Sequence, residues 1–225
     1  MLDMQSGYLI GIKVTGTDIA FVDGGEGQDT ITQVAAKFLK IGLLAGDVII
    51  VSGSTSNNGD HTIISVVAGT INVITGSLIG EEAGASVTIS SSHDLAATYG
   101  VYIQKVKGAL DFLKRKGETA HNWLDSHGEE AYTDVDDIHF EPRDITLFCY
   151  MKADSKDDFL EKLNSFKLVL EGFGLHTLKL PFLTSNLNVY FKDGGALDML
   201  TGWNSSKLVG KFILKLREPV PTIAS

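Results

Sequence analysis

The chain has 225 residues and a mass of 24.2 kDa, with 44% hydrophobic residues and a formal net charge of −9. A chain of that length can bury a substantial core, as one large β domain or two small ones, while its acidic balance argues against the basic footprint with which nucleic-acid binders release counterions from phosphates. The one cysteine, Cys149, excludes an internal disulfide framework and an all-cysteine zinc site, and no apolar segment is long enough to predict membrane insertion.

Residues Met1–Gly7 have neither a basic start nor an apolar run, which predicts no secretion signal and assembly in a reducing cytoplasm. Composition shifts near Ser90-Ser91-Ser92. Fourteen of the 24 glycines precede His93, and the charges divide as 3 basic and 9 acidic residues up to Ser92 against 16 and 19 from His93 onward. This shift predicts two domains, 1–92 and 93–225. The fold class expected is mainly β with one long helix.

In the first region, strand-like runs recur at short intervals: Tyr8–Val14, Asp18–Val22, Asp29–Val34, Phe38–Asp47, Val48–Ser54, His61–Val67, Thr70–Thr75 and Ala85–Ser90. Asp23–Gln28 is a glycine-rich turn, and Asn58-Gly59 is a hairpin signal because both residues tolerate positive φ. The pattern reads as a small antiparallel β barrel or sandwich. Within it, Gly42-Leu43-Leu44-Ala45-Gly46-Asp47 followed by Val48-Ile49-Ile50-Val51-Ser52-Gly53-Ser54 and the Asn-Gly turn resembles a β module that recurs in phage virion proteins.

The second region opens with an alternating strand, Tyr99–Val106, and Ala109–Lys116 is either a short helix or an irregular crossing. A polar, acidic connection through His121–Asp137 leads to the clearest unit of the chain. Pro142 precedes a strand from Asp144 to Met151, in which Ile145, Leu147, Cys149 and Met151 alternate with Asp144, Thr146, Phe148 and Tyr150. Cys149 is there a small buried hydrophobe. Ser155 and Asp158 have the spacing of a capping box, predicting a helix over about 155–171. Its packing face is Phe159, Leu163, Phe166 and Leu170, with Leu160 and Val169 beside them, and Gly172 offers a left-handed stop. Leu175–Phe182, Asn188–Lys192 and Lys207–Arg217 complete the strands before Pro219 and Pro221.

Several residue groups invite a chemical reading. His121, Asp125, His127 and Glu129 have the types a metal site needs, but no ligand spacing fixes a geometry, so no metal or other cofactor is expected. Glu129/Glu130 and Asp136/Asp137 are adjacent acids in a polar stretch, where ordinary solvated carboxylates are expected. Ser52 and Ser54 lack the flanks of a nucleophile elbow, and Gly24-Gly25-Glu26-Gly27 precedes no helix on which to cradle phosphate. Trp123, Trp203, Tyr99, Tyr102, Tyr132 and Tyr190 could stack on sugars, yet aromatics on alternating strands more often fill cores or subunit interfaces. Lys114-Arg115-Lys116 is a solvated or interface cluster rather than a nucleic-acid patch. No enzyme is expected.

Three segments in order, Gly100-Val101-Tyr102-Ile103, then Glu141-Pro142-Arg143-Asp144-Ile145 leading to the helix begun by Ser155, then Phe212–Pro219, resemble the element order of the distal tail proteins of long-tailed phages and their prophage relatives. The resemblance spans about Ala97–Thr222 and makes Gly100, Pro142, Arg143, Asp144, Ile145 and Ser155 its signature. It implies a C-terminal split β-barrel related to the tail-tube fold and packed by the one amphipathic helix. It also implies a virion structural protein assembled in the host cytoplasm, whose six copies form a ring joining tail-tube and baseplate proteins. Sequence-specific nucleic-acid binding is not implied, and a ring lumen that is not basic is expected from the acidic balance. The glycine-rich module here precedes the ring-type domain, where it would act as a spacer or attachment surface. The alternative function is a carbohydrate-binding adhesin or baseplate module touching the host, suggested by the polar turn Ser54–Asp60. A third, a surface-polymer hydrolase, rests only on acids such as Glu129 and Asp136.

Overall fold

The computed structural model describes residues 7–117, 120–121, 124, 127–128, 130–131, 138–172 and 174–221. The protein is mainly β with one long helix, as the alternating runs require. Strands β1 (Leu9–Gly16), β2 (Ile19–Val22), β3 (Asp29–Gln33), β4 (Val48–Ser52), β5 (Gly59–Val67), β6 (Thr70–Val73) and β7 (Val87–Asp94) come first. A short helix α1 (Leu95–Tyr99), β8 (Val101–Lys107), a two-stranded ribbon of β9 (Ala120–His121) and β10 (Glu130–Ala131), and β11 (Arg143–Ala153) follow. Helix α2 (Lys156–Leu170) leads to β12 (His176–Lys179), β13 (Leu187–Gly194), β14 (Asp198–Met199) and β15 (Leu208–Glu218).

All strands but the ribbon form one hydrogen-bonded path, β2-β3-β6-β5-β4-β7-β1-β12-β13-β15-β11-β8, with β14 beside β15. Every ladder between these strands is antiparallel. The first strand joins the two compositional regions. On one side β1 pairs with β7, Leu9 opposite Asp94, and on the other with β12, Leu9 opposite Lys179. Strand β7 itself runs through Ser92 to Asp94, because its inward positions Val87, Ile89, Ser91 and His93 keep the period of two across the compositional break. The buried side chains of both regions form one cluster.

Helix α2 begins where the capping residues place it. The Ser155 hydroxyl accepts from the Asp158 amide at 3.1 Å, while the Asp158 carboxylate accepts from the Asp154 amide at 3.0 Å and from Lys162 Nζ at 2.9 Å. The box therefore closes one residue further upstream than the usual reciprocal pattern. Phe159, Phe166, Val169 and Leu170 are buried and Leu163 packs on the core, each fully buried side chain being worth roughly 1.5–3 kcal/mol. Leu160 instead faces solvent, as its place one position off the stripe dictates. Phe166 sits between Tyr99 and Phe212, with ring centroids 5.3 and 6.1 Å away.

The first region touches the helix through the 3-10 turn Leu39–Ile41, which stands where a strand was expected over Phe38–Asp47. Its cap, Gly42, has φ +86, and a Cβ there would lie 2.3 Å from Val169 Cγ2. The helix ends at Glu171 in a right-handed conformation, so Gly172 is not the left-handed stop expected; its amide bonds back to the Val169 carbonyl. Of the two alternatives for Ala109–Lys116 the irregular crossing is the one observed, with Arg115 making an isolated bridge to Phe140. One further expectation changes. The β4–β5 hairpin is closed by a longer loop in which Gly59, but not Asn58, has positive φ. Asn58 uses its side chain instead, accepting from the Ser54 amide at 3.0 Å and donating to the Ser54 carbonyl at 2.5 Å.

Candidate functional site

The signature residues converge on the sheet β8-β11-β15-β13. Gly100 ends α1 with φ +63, and a Cβ there would lie 2.3 Å from the Lys152 carbonyl oxygen, so both backbone conformation and close approach demand glycine. Pro142 stands just before β11, where no ladder hydrogen bond is lost. Arg143 is opposite Glu218 and Asp144 opposite Arg217 in the β11–β15 ladder. The two sequence motifs, Arg-Asp-Ile and Arg-Glu-Pro, are thus one reciprocal charge pairing across neighbouring strands.

The two halves of that pairing face opposite sides. Arg143 and Glu218 are buried, with Arg143 Nε and Nη2 donating to Glu218 Oε2 at 2.9 and 2.5 Å and Nη1 donating to the Ala109 carbonyl at 3.0 Å. Asp144 is on the solvent face, accepting from Arg217 Nε and Nη2 at 2.6 and 2.9 Å and from Lys192 Nζ at 2.6 Å. These bonds, those from Arg217 first, hold its carboxyl well below the usual carboxylate range. Ile145, the next residue, is fully buried.

The same alternation sorts charge onto the outer face of this sheet. Lys211, Lys215 and Arg217 come from β15, Lys152 from β11, Lys192 from β13, and Lys105 and Lys107 from β8. Only Asp144, Asp193 and Asp198 oppose them there among the described residues. A bulge at Gln104 makes the β8 contribution possible. Tyr102 pairs with Tyr150 but Lys105 with Phe148 and Lys107 with Thr146, so both lysines share the outer face with Tyr102. A strict period of two would have turned them inward with Ile103. A shallow cavity of about 480 Å³ lies on this face, lined by Phe148, Tyr150, Lys211 and Ile213 among others.

Three carboxylate clusters escaped the sequence reading. Asp47 Oδ2 accepts from the Leu44 amide at 2.7 Å and from His93 Nε2 at 2.8 Å, and Tyr99 OH bonds His93 Nδ1. With Nε2 protonated toward Asp47, Nδ1 accepts from the tyrosine hydroxyl. The order mimics a catalytic relay, but Tyr99 is fully buried and no substrate reaches its oxygen. Burial first, and the Asp47 charge second, push that hydroxyl far above its ordinary value. Asp29, also fully buried, accepts from the amides of Gly24, Ser77 and Leu78 at 2.7–2.9 Å. Glu81 accepts from Ser54 Oγ at 2.6 Å and the Thr55 amide at 2.9 Å, with Ser56 and Asn57 beyond, and these bonds hold its carboxyl down at about 2.

Other sequence candidates disperse. Asp125, Glu129, Tyr132, Trp123 and the Asp136/Asp137 pair lie outside the described residues, and among those described no group of three or more His, Cys, Asp or Glu could hold a metal ion. Ser54 is committed to Glu81, and Gly24 gives its amide to Asp29. Lys114 pairs with Glu141 at 2.9 Å. Trp203 is half exposed and meets Phe159 edge to face, with centroids 6.0 Å apart. The pairings above were hidden because the partners are far apart in the chain: 46 residues between Asp47 and His93, 75 between Arg143 and Glu218. Only the recurrence of an Arg-acid dipeptide, at Arg143-Asp144 and Arg217-Glu218, signals the latter. No protein-family model, curated protein or solved structure matches the chain.

Proposed function

We propose that the protein is a structural subunit of a phage or prophage tail, forming a ring of six copies at the junction of tube and baseplate. The observation that carries this reading is the sheet's unfinished edges. Among the described residues, β8 is the terminal strand of the path and pairs only with β11, and β13 beyond Val189 pairs with β15 but no longer with β12. Open edges on opposite sides of a four-stranded sheet suit head-to-tail contact, and a cyclic assembly lets every edge find a partner without unlimited growth. The reciprocal Arg143–Glu218 and Asp144–Arg217 pairing supports the reading differently: it ties β11 to β15 on both faces of the sheet. The helix α2 closes its inner side.

The adhesin reading has less behind it. The polar turn that suggested it, Ser54–Asp60, consumes its own donors and acceptors on Glu81, Asn58 and the backbone. Sedimentation velocity and negative-stain microscopy of the full chain, over a range of concentration and salt, test the ring. Closed rings of six are expected. Monomers under every condition would overturn the proposal, and saturable binding on a glycan array would turn it toward the adhesin.

A further inference from the structure

The outer face of the β8-β11-β15-β13 sheet has the opposite charge to the chain that carries it. Seven cations meet three carboxylates there, on a protein of net charge −9. The three carboxylates are already engaged with Arg217, Lys192, Lys215 and Lys211. Lys105, Lys107 and Lys152, on the two adjacent strands at the open edge, make no ion pair among the described residues. Lys107 Nζ instead lies over the Phe148 ring, 5.4 Å from its centroid, and Lys152 Nζ over the Tyr102 ring at 5.2 Å. Each ring carries one ammonium group on the outer face of the sheet.

We propose that this face binds the phosphate backbone of nucleic acid without reading its sequence. Six of the seven cations are lysines, the residue depleted from the cores of protein interfaces, so a solvated polyanion fits the face better than a protein partner does. Compact ammonium charges neutralise phosphates and release their counterions, which is the source of sequence-independent affinity. Base readout lacks its usual instrument. The one guanidinium present, that of Arg217, is committed to Asp144 by two hydrogen bonds. The inference stands whether or not the protein forms a ring. It also separates local from overall charge, since the acidic balance of the chain resides largely in the first region, away from this sheet.

Fluorescence anisotropy of the full-length protein with a labelled duplex of mixed sequence tests this. With three uncompensated contacts, binding is expected to weaken about 40-fold between 50 and 200 mM salt. A second duplex of scrambled sequence should bind equally well. The triple variant Lys105→Gln, Lys107→Gln, Lys152→Gln is expected to lose at least roughly tenfold in affinity at 50 mM salt, whereas Lys13→Gln with Lys37→Gln, in the first region, should change nothing. All five lysines are at or near the surface, and a thermal melt verifies that each variant folds. The proposal fails if wild-type protein does not bind at 50 mM salt, if the triple variant binds as wild type does, or if one sequence is strongly preferred. It also fails if the triple variant alters self-association in sedimentation while DNA binding is unchanged, for the face would then be an interface between copies.

Discussion

The two halves of the molecule satisfy their carboxylates in different ways. In the first region Asp29 and Glu81 take most of their hydrogen bonds from backbone amides and hydroxyls of turns, whereas in the second Asp144, Asp193 and Glu218 take theirs chiefly from arginine and lysine side chains. Supply explains the difference. With 3 basic residues in its first 92, the first region has few cations to spare, and its short strands leave many turn amides that need acceptors. With 16 basic residues, the second can place a cation opposite an acid along two eleven-residue strands. One region is therefore tied by charge–dipole bonds at its loops, the other by charge pairs across its ladders.

The sharpest way to break the second arrangement is at its buried end. Arg143→Met takes from the buried Glu218 carboxylate the guanidinium that donates two hydrogen bonds to it, and should lower unfolding free energy in urea by about 3–5 kcal/mol. The double variant Arg143→Met, Glu218→Leu removes the carboxylate as well and should recover most of that loss. A double variant as unstable as the single would mean that Arg143 acts mainly through its bond to the Ala109 carbonyl, and so through the loop after β8.

The first arrangement breaks with acid. Glu81 titrates near 2 in the folded protein against an ordinary 4.5. Between those values the unfolded chain binds a proton that the folded turn refuses, so stability rises with pH across the window. The contribution is complete above about 4.5 and is lost as pH falls toward 2. Hydrogen-exchange protection at residues 54–58, taken relative to the intrinsic amide rate at each pH, should fall as pH drops through this range, and Glu81→Gln should lower protection there at neutral pH and make it nearly independent of acid. Cys149 reports on the other region at the same time. Burial pushes its thiol up to about 12 and it sits on the inner face of β11, so a thiol reagent should reach it only through global unfolding. Labelling of Cys149 that tracks exchange at 54–58 would show that the regions open together, as their shared strand β1 allows.

How far the sequence discloses this depends on the range of each interaction. Helix α2 was legible to within a residue because its cap and stripe are local, and β11 to within two because its residues alternate without interruption. The helix α1 was not, since Asp94 caps it directly from β7 and its five residues offer no period. The Asp47–His93–Tyr99 network and the buried Arg143–Glu218 pair join residues whose proximity only the sheet creates. The basic face was hidden twice over: by an acidic total, and by the Gln104 bulge, which reverses the side on which Lys105 and Lys107 emerge.

The smallest effect should come from the exposed half of the reciprocal pairing, and it measures what exposure does to an otherwise equivalent contact. Asp144 receives three short charge-assisted bonds, yet it is 46% exposed where Arg143 is 6%. Solvent and salt screen it, so Asp144→Asn should cost only about 0–1 kcal/mol and less at high ionic strength. The sign of its pH dependence follows that of Glu81, because its folded value is also depressed: stability is present above the unfolded value and is lost in acid. Removing Asp144 also frees Arg217 and Lys192, raising the positive charge of the outer face. The same variant should thus bind duplex DNA more tightly than wild type while remaining almost as stable. A loss of stability comparable to that of Arg143→Met would show that the sheet depends on its surface charges as much as on its buried pair.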